Sequence, residues 1–152
     1  MRLATGTYVG NGQDNRAITG LGFQPDAVFV KRDGTLTGIF LRTKDMAAGL
    51  SYEVSAASVD DAIQAIFPDG FQVGTRPGVN ESGISYTWMA FKGSAGRLMV
   101  GTYVGDGQDN RTVAGSGFQP DAVLIKGDNA QTLTGRWGGI AGDASWGVLN
   151  SG

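Results

Sequence analysis

The chain has 152 residues, with 12 basic and 14 acidic side chains and a formal net charge of −2. This balance argues against a nucleic-acid-binding protein, which normally carries a basic patch. The lack of cysteine excludes disulfides and thiolate catalysis, and the lack of histidine removes the most common general base and metal ligand. No apolar run reaches membrane-spanning length, and the N-terminal residues do not resemble a signal peptide.

One stretch occurs twice in the chain. Residues 6–31 read GTYVGNGQDNRAITGLGFQPDAVFVK, and residues 101–126 read GTYVGDGQDNRTVAGSGFQPDAVLIK. They are identical at 19 of 26 positions, and we call them the first copy and the second copy. Internal duplication of this kind sets the organisation of a chain. We therefore predict that both copies adopt the same backbone.

Each copy contains the signals of short strands and tight turns. A strand ending near Val9, a turn at Asn11-Gly12 and a second strand over residues 16–19 predict a hairpin, and the same pattern recurs in the second copy. Pro25 has a fixed φ and no N–H to donate, which predicts a corner. The apolar residues after it predict a mostly buried strand over residues 27–31.

Between the copies, strands are predicted over residues 38–43, 71–74 and 84–92. The last strand alternates, with Ile84, Tyr86, Trp88 and Ala90 on one face. Residues 58–67 (SVDDAIQAIF) have a capping serine, two aspartates and apolar residues at helical spacing, which predict a short helix. Pro68 would end this helix, and residues 76–83 are predicted to form a loop.

These elements predict an all-β fold of the β-sandwich or jelly-roll type, with one short helix and an internal duplication. We expect a complete first repeat unit at residues 1–95 and a truncated second unit at residues 96–152, packed with the first. The second unit lacks counterparts of the closing strands, so a partner or the first unit must cover it. Its tail is rich in glycine and tryptophan, and Trp137 and Trp146 are our candidate interface residues.

Three chemical functions compete with this structural interpretation. The GNGQDN turn resembles a calcium loop but lacks the alternating acidic ligands and the distal glutamate. No spacing selects a carboxylate pair for glycoside hydrolysis, and Asp60-Asp61 suits a helix N-terminus. Trp88, Trp137 and Trp146 could form a sugar-binding platform, although core and interface packing explain them better. We predict no catalytic residues, no metal and no cofactor.

Four motifs occur in order: GTYVGNG from residue 6, GFQPDAVFVK from residue 22, DGFQVG from residue 69 and VNESGISYTWMAFK from residue 79. Together they resemble a repeat module of structural proteins in tailed bacteriophages, found in tail fibres, tail appendages and other virion components. Two departures stand out: Phe29 and Leu124 replace the usual tryptophan of the PDxVW strand, and the second unit lacks the closing motifs. The resemblance implies a β-sandwich in a virion component.

The expected function is therefore a non-enzymatic one, in the virion, after assembly in the host cytoplasm. A chain of this size suits a capsid decoration, or cement, protein that stabilises the shell. The expected partners are copies of itself in a homo-oligomer, most simply a trimer, and phage capsid or tail proteins. The alternative is a tail-fibre or adhesin module that binds a host-surface glycan. No nucleic acid or membrane is expected as a partner.

Overall fold

The computed structural model describes residues 1–35, 38–140, 142 and 144–147. The strands within these residues are β1 (Arg2–Val9), β2 (Arg16–Thr19), β3 (Ala27–Arg32), β4 (Ile39–Thr43), β5 (Ser51–Glu53), β6 (Ser58–Val59), β7 (Ile63–Phe67), β8 (Gly70–Val73), β9 (Ser85–Lys92), β10 (Ala122–Ile125), β11 (Thr134–Trp137) and β12 (Trp146–Gly147). A single short helix among them, α1, spans Pro77–Asn80. The predicted all-β fold class is confirmed.

Two antiparallel sheets pack face to face and enclose the main core. The larger sheet has the order β1-β9-β3-β4-β5-β6, and the smaller has the order β2-β8-β7. Val30 and Tyr86 from the larger sheet meet Ile63 and Phe71 from the smaller one, and all four are buried. The result is a sandwich whose inner faces carry the apolar residues.

Strand β9 lies between β1 and β3. Tyr86, Trp88 and Ala90 point into the core, while Ser85, Thr87 and Met89 point outward. Residue Arg2 stands opposite Lys92 in the β1–β9 pairing, and Val9 stands opposite Ser85. The prediction of a strand here is confirmed, and this strand organises the larger sheet.

The predicted helix over residues 58–67 is wrong. These residues form β6 and β7 instead, and Asp61 between them has a φ of 54°, which a helix does not tolerate. Strand β7 turns at Pro68-Asp69 and pairs with β8, with Phe67 opposite Gly70. The β-branched residues at helical spacing also fit a strand pair, and burial against the larger sheet decides between them.

The predicted hairpins are also wrong. In the first copy, β1 pairs with β9 while β2 pairs with β8, so the two strands belong to different sheets. The turn between them lets the chain cross from one layer of the sandwich to the other. In the second copy, residues 97–121 form no strand, and their only bridge joins Leu98 to Ser94.

A third sheet, with the order β10-β11-β12, holds the end of the second copy and the tail. Strand β10 pairs with β11 and with no strand of the sandwich among the described residues. Within the described residues, the second unit therefore does not join the strands of the first unit in one continuous sandwich. The described residues contain no helix with the length and apolar character needed to cross a membrane.

Candidate assembly interface

The first copy is held by the strands that follow it in the chain. We call residues 39–92 the frame, because they supply β9 and β4 on either side of β3, β9 beside β1, and β8 beside β2. All three strands of the first copy therefore depend on partners from the frame. The second copy has the same sequence pattern, so its partners can be judged against these contacts.

The frame holds β1 through close side-chain contacts. The Tyr8 hydroxyl donates a 2.5 Å hydrogen bond to the Val79 carbonyl, and its ring stacks on Tyr86 at a centroid distance of 5.2 Å. Gly6 lies against the ring of Trp88, and a Cβ added to it would be 2.6 Å from Trp88 Cζ2. Glycine is required at this position because the indole fills the space of a side chain.

Asn80 of α1 fixes the turn of the first copy. Its side chain is fully buried, and its Oδ1 accepts hydrogen bonds from the Asn11 N–H at 3.0 Å and from Arg16 at 3.1 Å. Its amide donates to the carbonyls of Gln13 at 2.8 Å and Gly74 at 2.9 Å. A buried amide with all these bonds satisfied specifies one position for the turn. The sequence pattern included this asparagine in the VNESG motif but assigned it no role.

Asp26 ties the corner of the first copy to the end of β9. Its carboxylate accepts hydrogen bonds from the Gly93 N–H at 2.7 Å and from Lys92 Nζ at 3.0 Å. Burial raises the pKa of Asp26, but these two bonds and the nearby lysine charges outweigh it, and the pKa lies below the usual value. The ionised Asp26 therefore holds the corner at Pro25 to the end of β9.

The second copy exposes the residues that the first copy buries. Tyr103 is 46 % exposed where Tyr8 is 9 % exposed, and Val123 is 39 % exposed where Val28 is fully buried. Val113, Leu124 and Ile125 are exposed too, whereas their counterparts Ile18 and Phe29 are partly buried and Val30 is fully buried. Apolar residues that form a core in one copy and are exposed in the other make the second copy a candidate interaction site.

The turn of the second copy nevertheless has the local shape of the first. Gly12 and Gly107 have φ values of 69° and 72°, and Asn15 and Asn110 have φ values of 57° and 56°. The same local bonds recur, such as the Gln108 N–H donating to Asp106 in the way that Gln13 donates to Asn11. Short-range turn chemistry therefore sets this conformation without partner strands.

The second unit contacts the outer face of the larger sheet at a few points. Leu133 is buried in a small cluster with Ala27, Leu41 and Val54, and its N–H donates a 3.0 Å hydrogen bond to the Val54 carbonyl. Lys126 Nζ lies 5.1 Å from the centroid of the Tyr52 ring, and burial lowers the pKa of Lys126. These contacts hold the second unit to the first but leave its own strands uncovered.

The two candidate tryptophans lie on one face of the third sheet. Trp137 stands opposite Ala122 in β10, and Trp146 stands opposite Gly135, two residues before Trp137 in β11. Residues directly opposite, and residues two apart, share a face of a sheet. Trp137 is 46 % exposed and Trp146 is 62 % exposed, so this face offers two indole rings side by side to a partner.

The acidic residues considered for chemistry have ordinary structural partners. Asp14 accepts hydrogen bonds from Asn15 and Gln64, and Asp61 accepts them from Thr75 and Gln64. Among the residues that the structure describes, no three His, Cys, Asp or Glu side chains are grouped as a metal site. Comparison with protein-family models, with curated proteins and with solved structures finds no match.

Proposed function

We propose that the chain is a non-enzymatic structural component of a tailed-phage virion, and that it serves as a capsid decoration protein that stabilises the shell. The observation that carries this proposal is the second copy, whose Tyr103, Val123 and Ile125 are exposed although their counterparts form a core. A protein that presents uncovered segments with the sequence of sandwich strands is suited to assembly. The phage assignment is supported by the four ordered motifs.

The partner in this proposal is the particle itself, through copies of the chain and through the shell. We propose a homo-oligomer, most simply a trimer, because copies of the chain can cover the exposed apolar residues of one another's second copy. The exposed Trp137 and Trp146 would lie in the contact, since tryptophan contributes strongly to interface energy when it becomes buried. The site of action would be the virion, after assembly in the host cytoplasm.

A second candidate is a tail-fibre or adhesin module that binds a host-surface glycan. The observation in its favour is the same tryptophan pair, because two indole rings on one exposed face can stack on sugar rings. The two candidates differ in what covers the tryptophans, which is protein in the first case and carbohydrate in the second.

The test is binding of the purified chain to phage shells that lack it. A decoration protein should co-sediment with expanded shells in saturable amounts and raise their melting temperature. Replacing Trp137 and Trp146 together by serine should weaken binding by roughly a hundredfold or more, since each buried tryptophan contributes well over 1.4 kcal/mol. Val9→Ser, at an exposed apolar residue of the first copy, is the matched control and should leave binding unchanged.

Binding to a glycan array with no binding to shells would replace the first candidate by the second. Sedimentation of the chain alone adds an independent result. A monomer at micromolar concentration that also fails to bind shells would contradict the decoration proposal.

A further inference from the structure

The second copy carries most of the residues through which the first copy contacts the frame. We propose that the frame accepts either copy, so that residues 97–126 can exchange with residues 2–31 as the strands that complete the sandwich. Each chain has one frame and two copies, and one copy is always left uncovered. The described arrangement, with the first copy bound, is then one of two related states of the same chain.

The first support is the register of β1 on β9. The likeness of the copies extends upstream to Arg2-Leu3 and Arg97-Leu98, so β1 has a complete counterpart at residues 97–104. Arg2 stands opposite Lys92, and four residues, 93–96, separate Lys92 from Arg97. A four-residue loop is a common hairpin connection. The second copy can therefore fold back onto β9 in the register that β1 uses.

The chain turns between β9 and the second copy, in a register that differs from that of the exchanged state. The N–H groups of Arg97 and Leu98 both donate to the Ser94 carbonyl, at 3.1 and 3.2 Å. This turn bridges Leu98 to Ser94, whereas the exchanged state places Leu98 opposite Phe91, the partner of Leu3, so the turn has to re-form on exchange. In the described state β1 occupies this edge of β9.

The second support is that the second copy has glycines at two positions where its described surroundings do not require glycine. Gly6 must be glycine because of Trp88, and its counterpart Gly101 has only Met99 Cε nearby, at 3.6 Å. Gly10 meets the Glu81 backbone, whereas its counterpart Gly105 has nothing within 4 Å of an added Cβ. Both glycines are explained if this segment also lies on β9.

The third support is that Asn80, Lys92 and Gly93, which hold the first copy by hydrogen bonds, contact groups that both copies have. Asn80 binds the backbone of Asn11 and Gln13 and the side chain of Arg16, and the second copy has Gln108 and Arg111 at the last two positions. Lys92 and the Gly93 N–H bind Asp26, whose counterpart is Asp121. The second copy therefore presents the same polar groups to the same anchors.

The differences explain why the first copy holds the frame. Leu21 is buried in the main core, and its counterpart is Ser116. Ala4 packs against the same core, and its counterpart is the larger Met99. Loss of a buried leucine and overpacking by methionine both disfavour the exchanged state. The exchange is thus biased towards the first copy without being prevented.

Engineered disulfides test the exchange directly, because the natural chain has no cysteine. Thr7 and Thr87 stand opposite each other on the exposed face of the sheet. The Gly10 N–H donates to the Ile84 carbonyl, and hydrogen-bonded and non-hydrogen-bonded pairs alternate along an antiparallel ladder, so Thr7 and Thr87 form a non-hydrogen-bonded pair. Such a pair is close enough for a disulfide. Thr7→Cys/Thr87→Cys reports the described state. Thr102→Cys/Thr87→Cys reports the exchanged state, since Thr102 is the counterpart of Thr7. Asp106→Cys/Thr87→Cys closes a similar loop out of register and measures chance cross-linking.

Each variant is refolded from urea in a glutathione redox buffer, digested with trypsin and analysed by mass spectrometry. We expect the Thr102–Thr87 disulfide within single chains, at several times the level of the Asp106 control. Swapping Leu21→Ser with Ser116→Leu should raise it by roughly tenfold or more, because the bias is then reversed. A Thr102–Thr87 level equal to the control in both backgrounds, or a disulfide that forms only between chains, would overturn the proposal.

Discussion

The same substitution at Gly6 and at Gly101 should have different effects, because only Gly6 is packed. A Cβ at Gly6 would lie 2.6 Å from Trp88 Cζ2, about 1 Å inside ordinary carbon–carbon contact. Trp88 is 9 % exposed and packs edge-on against Phe71, so the ring cannot move aside freely. At Gly101 the nearest atom is the flexible end of Met99, at 3.6 Å.

The expected difference is the cost of overpacking. Gly6→Ala should lose about 1–3 kcal/mol from this term, partly offset by about 0.5–1 kcal/mol gained from a stiffer unfolded chain. Gly101→Ala should show only the second term and be neutral or slightly stabilising. The free energies of unfolding of the two variants should therefore differ by about 1–3 kcal/mol.

Urea denaturation followed by tryptophan fluorescence and circular dichroism measures both variants. The double variant Gly6→Ala/Gly101→Ala adds a check on strand exchange. If the second copy substitutes for a damaged first copy, the double variant should lose more stability than the two single losses combined. Equal effects of the single variants, with a double variant that costs no more than their sum, would refute the packing argument.

Two further matched pairs test the anchors of the first copy. Asp26 has a folded-state pKa below its unfolded value, so it contributes stability above pH ~4 that is lost as the pH falls through the folded pKa. Asp26→Asn should therefore lower stability at pH 7 and flatten its acid dependence in pH-dependent denaturation, while Asp121→Asn, at an exposed residue, should change neither. Tyr8→Phe should cost about 1 kcal/mol in urea denaturation, because it removes the buried bond to Val79, and Tyr103→Phe should cost nothing measurable. Equal effects within either pair would show that the second copy is packed like the first.

The alternation in residues 85–92 predicted a strand and its buried face correctly, because side chains on a pleated strand alternate whatever the strand pairs with. The corner at Pro25 and the positive φ of Gly12 were also readable, since such φ values are set locally, but the tight turn lies at Asp14-Asn15 and not at Asn11-Gly12. The pairing partners of β1 and β2 could not be predicted from the sequence, because β9 and β8 lie more than fifty residues away in the chain.

The helix predicted over residues 58–67 failed for a related reason. Its apolar spacing fits both a short helix and a pair of strands, and the core around Ile63 and Phe71 selects the strands. The tryptophans were selected on residue type alone, and their common exposed face depends on a β11–β12 pairing that no local pattern indicates. Asn80 was missed because its partners come from the distant first copy.

Hydrogen–deuterium exchange compares the two copies most directly, because their peptides are almost identical in sequence and differ only in their surroundings. In the isolated chain, the amides of Gly6 and Tyr8 should exchange at least about a hundredfold more slowly than those of Gly101 and Tyr103, since only the first two are at hydrogen-bonded positions of a sheet. On assembly with copies of the chain or with shells, the amides of Gly101 and Tyr103 should become protected. Slow exchange of both sets of amides in a chain that sediments as a monomer would contradict the account, because the second copy would then be covered without any partner.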